Sequence, residues 1–185
     1  MRIIAGEFRS RTLVAPEGSA TRPTMDRARE ALFNVLSNLM SFEGISVLDL
    51  YAGSGALAFE ALSRGAARAT LVEKNAKAVR AIKNNALTLG VAERIVVRQQ
   101  EVLRFLQSEP LEPFRMILSD PPYETREVSE AVTLILGNGW LAPGGYCVIE
   151  QRSDAELPPV ADVKIVRELK AGEARFTVLT HATPL

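Results

Sequence analysis

The chain has 185 residues, 47% hydrophobic and 24% charged, the composition of an ordinary folded soluble protein with enough length for one domain and a sizeable core. Its 22 basic and 22 acidic side chains cancel, but unevenly: residues 1–104 hold 15 basic and 10 acidic side chains, and residues 105–185 hold 7 and 12. One cysteine, Cys147, excludes an internal disulfide and points to a reducing cytoplasm; with one histidine, His181, no His/Cys metal cluster can form.

Residues Arg2-Ile3-Ile4-Ala5-Gly6 and Arg11-Thr12-Leu13-Val14 predict a short hairpin outside the main repeat, followed by a loop from Ala15 to Met25. Residues 1–20 are therefore read as an appendage and residues 21–185 as the main domain. Asp26 is placed to cap a helix whose apolar positions Ala28, Ala31, Leu32, Val35, Leu36 and Leu39 share one face, with Arg22, Arg27 and Arg29 around its start. From Ile45 strands and helices alternate. Strands are expected at Ser46–Leu50, Ala69–Val72, Ile95–Val97, Arg115–Ser119 and Tyr146–Glu150, and helices at Ala56–Arg64, after Asn75 as far as Gly90, at Val102–Gln107 and at Glu127–Leu136. Val163–Leu169 and Arg175–His181 around Gly172 read as a closing hairpin, with His181 near the strand end. The pattern predicts an α/β fold, a mostly parallel sheet with one antiparallel strand. The N-terminus has no apolar signal core. The charge-free stretch Val132 to Ile149 is broken by Gly137, Gly139, Pro143, Gly144 and Gly145, which excludes a membrane helix.

Asp49-Leu50-Tyr51-Ala52-Gly53-Ser54-Gly55-Ala56 follows a strand and opens a helix, so its glycines allow a tight turn and close backbone approach by a ligand. Glu73 ends the next strand, where its carboxylate can accept hydrogen bonds from both hydroxyls of a ribose. Gly53-x-Gly55-x-x-Ala58 with Glu73 also satisfies a dinucleotide fingerprint, which keeps a dehydrogenase in contention. Against it, Asp49 offers nothing to an anionic pyrophosphate but would welcome the ammonium of a methionine moiety.

Asp120-Pro121-Pro122-Tyr123 ends the fourth strand. These residues suit the methylation of an exocyclic amino nitrogen, a poor nucleophile because its lone pair is delocalised into the base. The Asp120 side chain and a rigid main-chain carbonyl, held by prolines that lack N–H donors, can take the two N–H bonds and turn the lone pair outward; Tyr123 can stack on the base. The same four residues also suit a rigid turn with an aromatic plug.

With these motifs, the start Arg2-Ile3-Ile4-Ala5-Gly6 and the segment Arg22-Pro23-Thr24-Met25-Asp26-Arg27-Ala28-Arg29-Glu30-Ala31-Leu32-Phe33-Asn34, the chain resembles the bacterial 16S ribosomal RNA guanine-N2 methyltransferases, the RsmD family. The resemblance covers nearly the whole chain, and residues 22–34 are its narrow identifier. It implies a Rossmann-like seven-stranded methyltransferase sheet, S-adenosyl-L-methionine as cofactor and 16S ribosomal RNA, in a small subunit or an assembly intermediate, as partner of a cytoplasmic monomer. Asp49, Gly53 and Gly55 would line the methionine end, with Tyr51 and Ser54 in the same turn, and Glu73 with Lys74 would lie along the ribose. Glu101 and Val102 would face the adenine, although relatives commonly carry Asp or Asn before a small residue there. Thr24 would close over the cofactor or touch RNA, and Arg9, Arg11, Arg22, Arg27 and Arg29 would contact RNA. Asp120, Pro121, Pro122 and Tyr123 would form the base clamp. A DNA adenine-N6 methyltransferase and a non-catalytic RNA-binding assembly factor remain as alternatives.

Overall fold

The computed structural model describes residues 1–16, 23–121, 125–155, 157 and 159–182, with side chains described at all of these except 23–25 and 125–126. A seven-stranded sheet is made by β1 (Ser46–Leu50), β2 (Arg68–Val72), β3 (Ile95–Arg98), β4 (Phe114–Ser119), β5 (Leu141–Arg152), β6 (Val163–Ala171) and β7 (Ala174–His181), in the spatial order β3-β2-β1-β4-β5-β7-β6. The first five are parallel; β7 runs antiparallel to both β5 and β6, so the closing hairpin places one reversed strand in the sheet. Helices α1 (Pro23–Leu39), α2 (Ala56–Ser63), α3 (Ala76–Leu89), α4 (Val102–Leu106) and α5 (Thr125–Gly137) cover it, with a 3-10 turn at Ala92–Arg94.

Side-chain alternation along the strands divides the core in two. Val47, Met116, Leu118 and Val148 join α1, α2 and α3 in one layer around Leu32, Phe33, Phe59, Leu62 and Ile82. Leu48, Leu50, Ile117, Cys147 and Ile149 join α4 and α5 in the other, around Phe105, Val132, Ile135 and Trp140. Both faces of the central strands are therefore dry, which is why they read as near-continuous apolar runs. Asn75 starts α3, its side chain accepting from Lys77 N at 2.8 Å and Ala78 N at 3.3 Å, and Gly90 at φ 74° stops it.

Three expectations change. Helix α1 begins at Pro23, where a missing N–H costs nothing, rather than after Asp26; Asp26 lies in its first turn and accepts from Arg29 Nη2 at 2.9 Å. Strand β5 begins at Leu141 instead of Tyr146, and its pairing with β4 shifts register between Phe114 and Met116 to absorb Pro143-Gly144-Gly145. At the N-terminus the two expected strands reduce to one bridge, Arg2 to Thr12. Ile3 N to Arg11 O and Leu13 N to Met1 O, both 3.0 Å, flank that bridge, but Ala5 N, which would extend the ladder, donates instead to the Glu60 carboxylate at 3.1 Å; Ile4 N joins it there at 2.8 Å, and Phe8 N donates to Ser63 Oγ at 2.9 Å. Gly6, at φ 82°, lies so close to the Ser63 carbonyl that no Cβ would fit. Ile3, Phe8 and Leu13 are buried in the first core layer, so this segment is part of that core; the expected boundary at residue 20 falls outside the described residues.

Candidate active site

The strand order reverses between β1 and β4, and ligands of open α/β sheets bind outside the carboxyl ends of strands at such a point. Backbone bonds continue the sheet into the loops there: Ala52 N donates to Val72 O at 3.1 Å, Glu73 N to Arg98 O at 3.1 Å and Asp120 N to Leu50 O at 3.4 Å. The glycine turn, Glu73 and Asp120 thus lie along one edge, as the sequence predicts.

The turn needs three left-handed residues, Tyr51 (φ 58°), Gly53 (φ 55°) and Gly55 (φ 78°). At Gly55 a Cβ would stand 2.7 Å from a Phe59 ring carbon and 2.9 Å from a Leu71 methyl, so this glycine serves packing. Around Gly53 a Cβ would meet nothing nearer than Tyr51 O at 3.9 Å, and this open side is where a ligand can approach the backbone. Glu73 Oε2 accepts from Gly53 N at 2.9 Å and Oε1 from Asn75 N at 2.8 Å, which orients the carboxylate with lone pairs left for a diol. Asp49, 1% exposed, accepts from Ala58 N at 3.0 Å and so ties β1 to the first turn of α2. The Tyr51 hydroxyl donates to Glu127 Oε1 at 2.9 Å, drawing that ring toward the α4/α5 layer.

Two further residues belong to this edge. Asn85, buried on α3, donates to Ser54 O at 3.1 Å and exchanges two bonds with the Val14 backbone at 2.8 and 3.0 Å. It locks the N-terminal segment to the glycine turn; a polar residue amid the inward row Val79, Ile82, Ala86 and Leu89 was its signal. Glu150 follows Ile149, the register partner of Ser119, just as Asp120 follows Ser119. The two carboxyls therefore occupy neighbouring rungs on one face of the sheet, and Asp49, on β1, shares that face.

The electrostatics follow from this crowding. Burial raises the Asp49 carboxyl well above the usual range; the Ala58 N–H offsets part of that, and Asp120 and Glu73 add repulsion. Asp120 keeps contact with solvent at the lip, yet enough protein surrounds it for desolvation to raise it to about 6. Glu150 is raised to about 8, by burial first and by the Asp120 charge second. Among the described residues no cation contributes to these shifts. An open glycine turn beside a carboxylate with lone pairs free for a diol suits a nucleoside.

The remaining candidates are scattered. Lys74 and Glu101, both exposed, pair with each other at 3.4 Å, and Val102 is buried in the second core layer. Arg9, Arg11 and Arg27 are exposed, with Arg11 Nη2 donating to Thr88 O at 2.9 Å. Arg29 is 6% exposed, and its guanidinium donates to Arg2 O and to Asp26 Oδ1 at 2.9 Å, which holds it within the packed N-terminal segment. Its helical position put it beside exposed Arg27, and only the packed N-terminal segment over it decides the burial. Pro121 is buried; Arg22, Pro122, Tyr123 and the Thr24 side chain lie outside the described residues. Among the described residues no group of three His, Cys, Asp or Glu side chains could hold a metal ion, and no helix is long and apolar enough to cross a membrane.

Comparison with known proteins agrees with this architecture. The family model described as conserved hypothetical protein 95 matches residues 1–180. The ribosomal RNA small subunit methyltransferase D of Escherichia coli K12 is 37% identical over 177 residues, 95% of this chain and 87% of that one. That of Haemophilus influenzae is 34% identical over 174 residues, 93% and 89% of the two chains. The solved Escherichia coli chain YhhF superposes with a TM-score of 0.84 at 35% identity, covering 98% of this chain and 97% of its own. A glycine turn and a carboxylate-lined strand edge on a seven-stranded sheet thus coincide with near full-length similarity, and the chain belongs to the RsmD family of methyltransferases.

Proposed function

We propose that the protein transfers a methyl group from S-adenosyl-L-methionine to the exocyclic N2 of a guanine in 16S ribosomal RNA, as a cytoplasmic monomer acting on an assembled or assembling small subunit. The observation that carries the cofactor assignment is the Glu73 carboxylate, held by Gly53 N at 2.9 Å and Asn75 N at 2.8 Å with lone pairs left for a ribose diol, beside the open Gly53 turn. The substrate assignment draws on relatives named for methylation of small-subunit ribosomal RNA.

S-adenosylmethionine supplies an activated methyl on a cationic sulfonium. The chain supplies orientation. Asp49 and the Gly53 backbone would hold the methionine end, Glu73 the ribose hydroxyls, and the Lys74–Glu101 pair would border the adenine. Asp120 would accept one N–H of the guanine amino group and the Pro121 carbonyl the other, orienting the nitrogen lone pair for the transfer; the methyl–sulfur bond would break to leave a neutral thioether, and the proton lost from N2 would pass to the Asp120 carboxylate or to solvent. Tyr123 stacks on the base, a contact of ~1–3 kcal/mol that offsets part of the cost of unstacking it.

The test is incorporation of labelled methyl into 16S ribosomal RNA and into undermethylated small subunits, with the modified nucleotide mapped. N2-methylguanine at one position is the expected product. Label confined to DNA, label on adenine N6, or no turnover at all refutes the proposal.

A further inference from the structure

Helix α3 has an outer face that carries cations and no acid. Lys77, Arg80 and Lys83 recur at every third residue and all are exposed, whereas Ala78, Val79, Ile82, Asn85 and Ala86 behind them are buried. At 1.5 Å per residue the three cations span about 9 Å of helix. The other charged elements differ. Helix α1 mixes Arg27 with Asp26 and Glu30, and β6 mixes Lys164, Arg167 and Lys170 with Glu168.

The two ends of this face meet other elements of the site. At the start of α3, its capping residue Asn75 is bonded to Glu73, the acceptor at the cofactor edge, and exposed Lys74 lies next to it. At its far end, Arg11 donates to the Thr88 carbonyl in the last turn, which brings a cation from the N-terminal segment onto the same side. Two segments more than sixty residues apart thereby form one basic surface that runs to the edge where the transfer would occur. Among the described residues, the acids near it are engaged or peripheral: Glu101 pairs with Lys74, Glu73 accepts from Gly53 and Asn75, and exposed Glu93 lies beyond the helix end; Lys77 has an interaction of its own, so Arg80 and Lys83 with Arg11 carry most of the field. In a chain of zero net charge, long-range attraction to a polyanion must come from such a local field.

We infer that the outer face of α3, with Arg11, binds the phosphate backbone of the RNA whose target base enters the Asp120 site. This rests on the proposed reaction and adds to it the surface that holds the substrate.

The test compares three proteins for binding to a 16S ribosomal RNA transcript over a salt series: the full-length chain, a variant carrying Lys77→Gln, Arg80→Gln and Lys83→Gln, and a reference variant carrying Lys164→Gln, Arg167→Gln and Lys170→Gln on β6. Each lost phosphate contact removes about 0.7 from the slope of log affinity against log salt for a single strand, so the α3 variant is expected to lose about 2 from the slope and roughly tenfold or more in affinity at low salt. S-adenosylmethionine binding by calorimetry stays unchanged. An unaltered slope, or an equal loss in the β6 variant, overturns the inference. Should the triple variant melt early, Arg80→Gln alone reads the same effect at about 0.7 in slope. Methyl incorporation by the unmodified chain is scored alongside. Its absence with the α3 effect intact refutes the reaction and leaves the binding face standing; its presence without the α3 effect refutes the face alone.

Discussion

Glu60→Ala is expected to lower the free energy of unfolding by about 3–5 kcal/mol, with an unchanged denaturant slope. Glu60 is 0% exposed and accepts three hydrogen bonds, from Ile4 N at 2.8 Å, Ala5 N at 3.1 Å and Arg64 Nε at 2.8 Å. Bonds to a charged group contribute roughly 1.5–3 kcal/mol each, which sets an upper range for the three together. The loss stays below that sum because Ile4 and Ala5 are only half-buried and recover water once the turn is released. Arg64 also keeps its stacking over the Phe33 ring at 5.1 Å. Glu60→Gln, which retains one acceptor oxygen, is expected to lose less. Urea melts measure the change, and limited trypsinolysis at Arg9 and Arg11 reports release of the turn. A loss under about 1 kcal/mol, with Arg9 and Arg11 still protected, would refute the view that α2 anchors the N-terminal segment. The same anchoring means that deleting residues 1–20 would disturb the core, so the contribution of Arg9 and Arg11 to RNA binding has to be read from point substitutions.

Gly55→Ala meets both a left-handed φ of 78° and contacts of 2.7 and 2.9 Å, and is expected to cost about 2–4 kcal/mol in urea melts and to weaken calorimetric S-adenosylmethionine binding. Because Asp120 titrates near 6, kcat/KM for RNA methylation is expected to fall about tenfold from pH 7 to pH 5 as the acceptor becomes protonated, and Asp120→Asn should flatten that limb of the profile. Stability runs the other way: a carboxyl raised to about 8 favours the fold fully below its ordinary value of 4.5 and loses that contribution as pH rises through 8. Glu150→Gln should therefore stabilise the protein by about 1–2 kcal/mol at pH 8, allowing for solvent at the rim, and have little effect at pH 4; urea melts at both values check the sign. Arg29→Ala is expected to cost about 2–3 kcal/mol of stability without changing the salt slope of RNA binding, and a reduced slope would restore it as an RNA contact.

Local chemistry made much of the architecture legible. Short apolar runs that end in Gly53 and Gly55, the cap Asn75 and the stop Gly90 define their elements within a few residues, so the alternation of strands and helices and the closing hairpin follow from the sequence. The edge carrying Asp49, Glu73 and Asp120 was legible for the same reason, since Asp49 lies in the last two residues of its strand, Glu73 and Asp120 directly follow theirs, and parallel strands share a carboxyl edge. Residues 22–34 identified the family, but through resemblance to known sequences.

What the sequence by itself determined, then, is the order of elements and the strand ends that carry the site, because caps, turns and apolar periodicity act over a few residues. Tertiary structure alone decided the rest. The N-terminal donors found Glu60 and Ser63 more than fifty residues away, which shortened the expected hairpin to one bridge, packed its turn on α2 and buried Arg29 beneath it. Strand register set Glu150 beside Asp120, and the fold carried Arg11 to the last turn of α3. Such partners are chosen by proximity in space, which local periodicity does not encode, and proximity governs both the shifted carboxyls and the shared basic face.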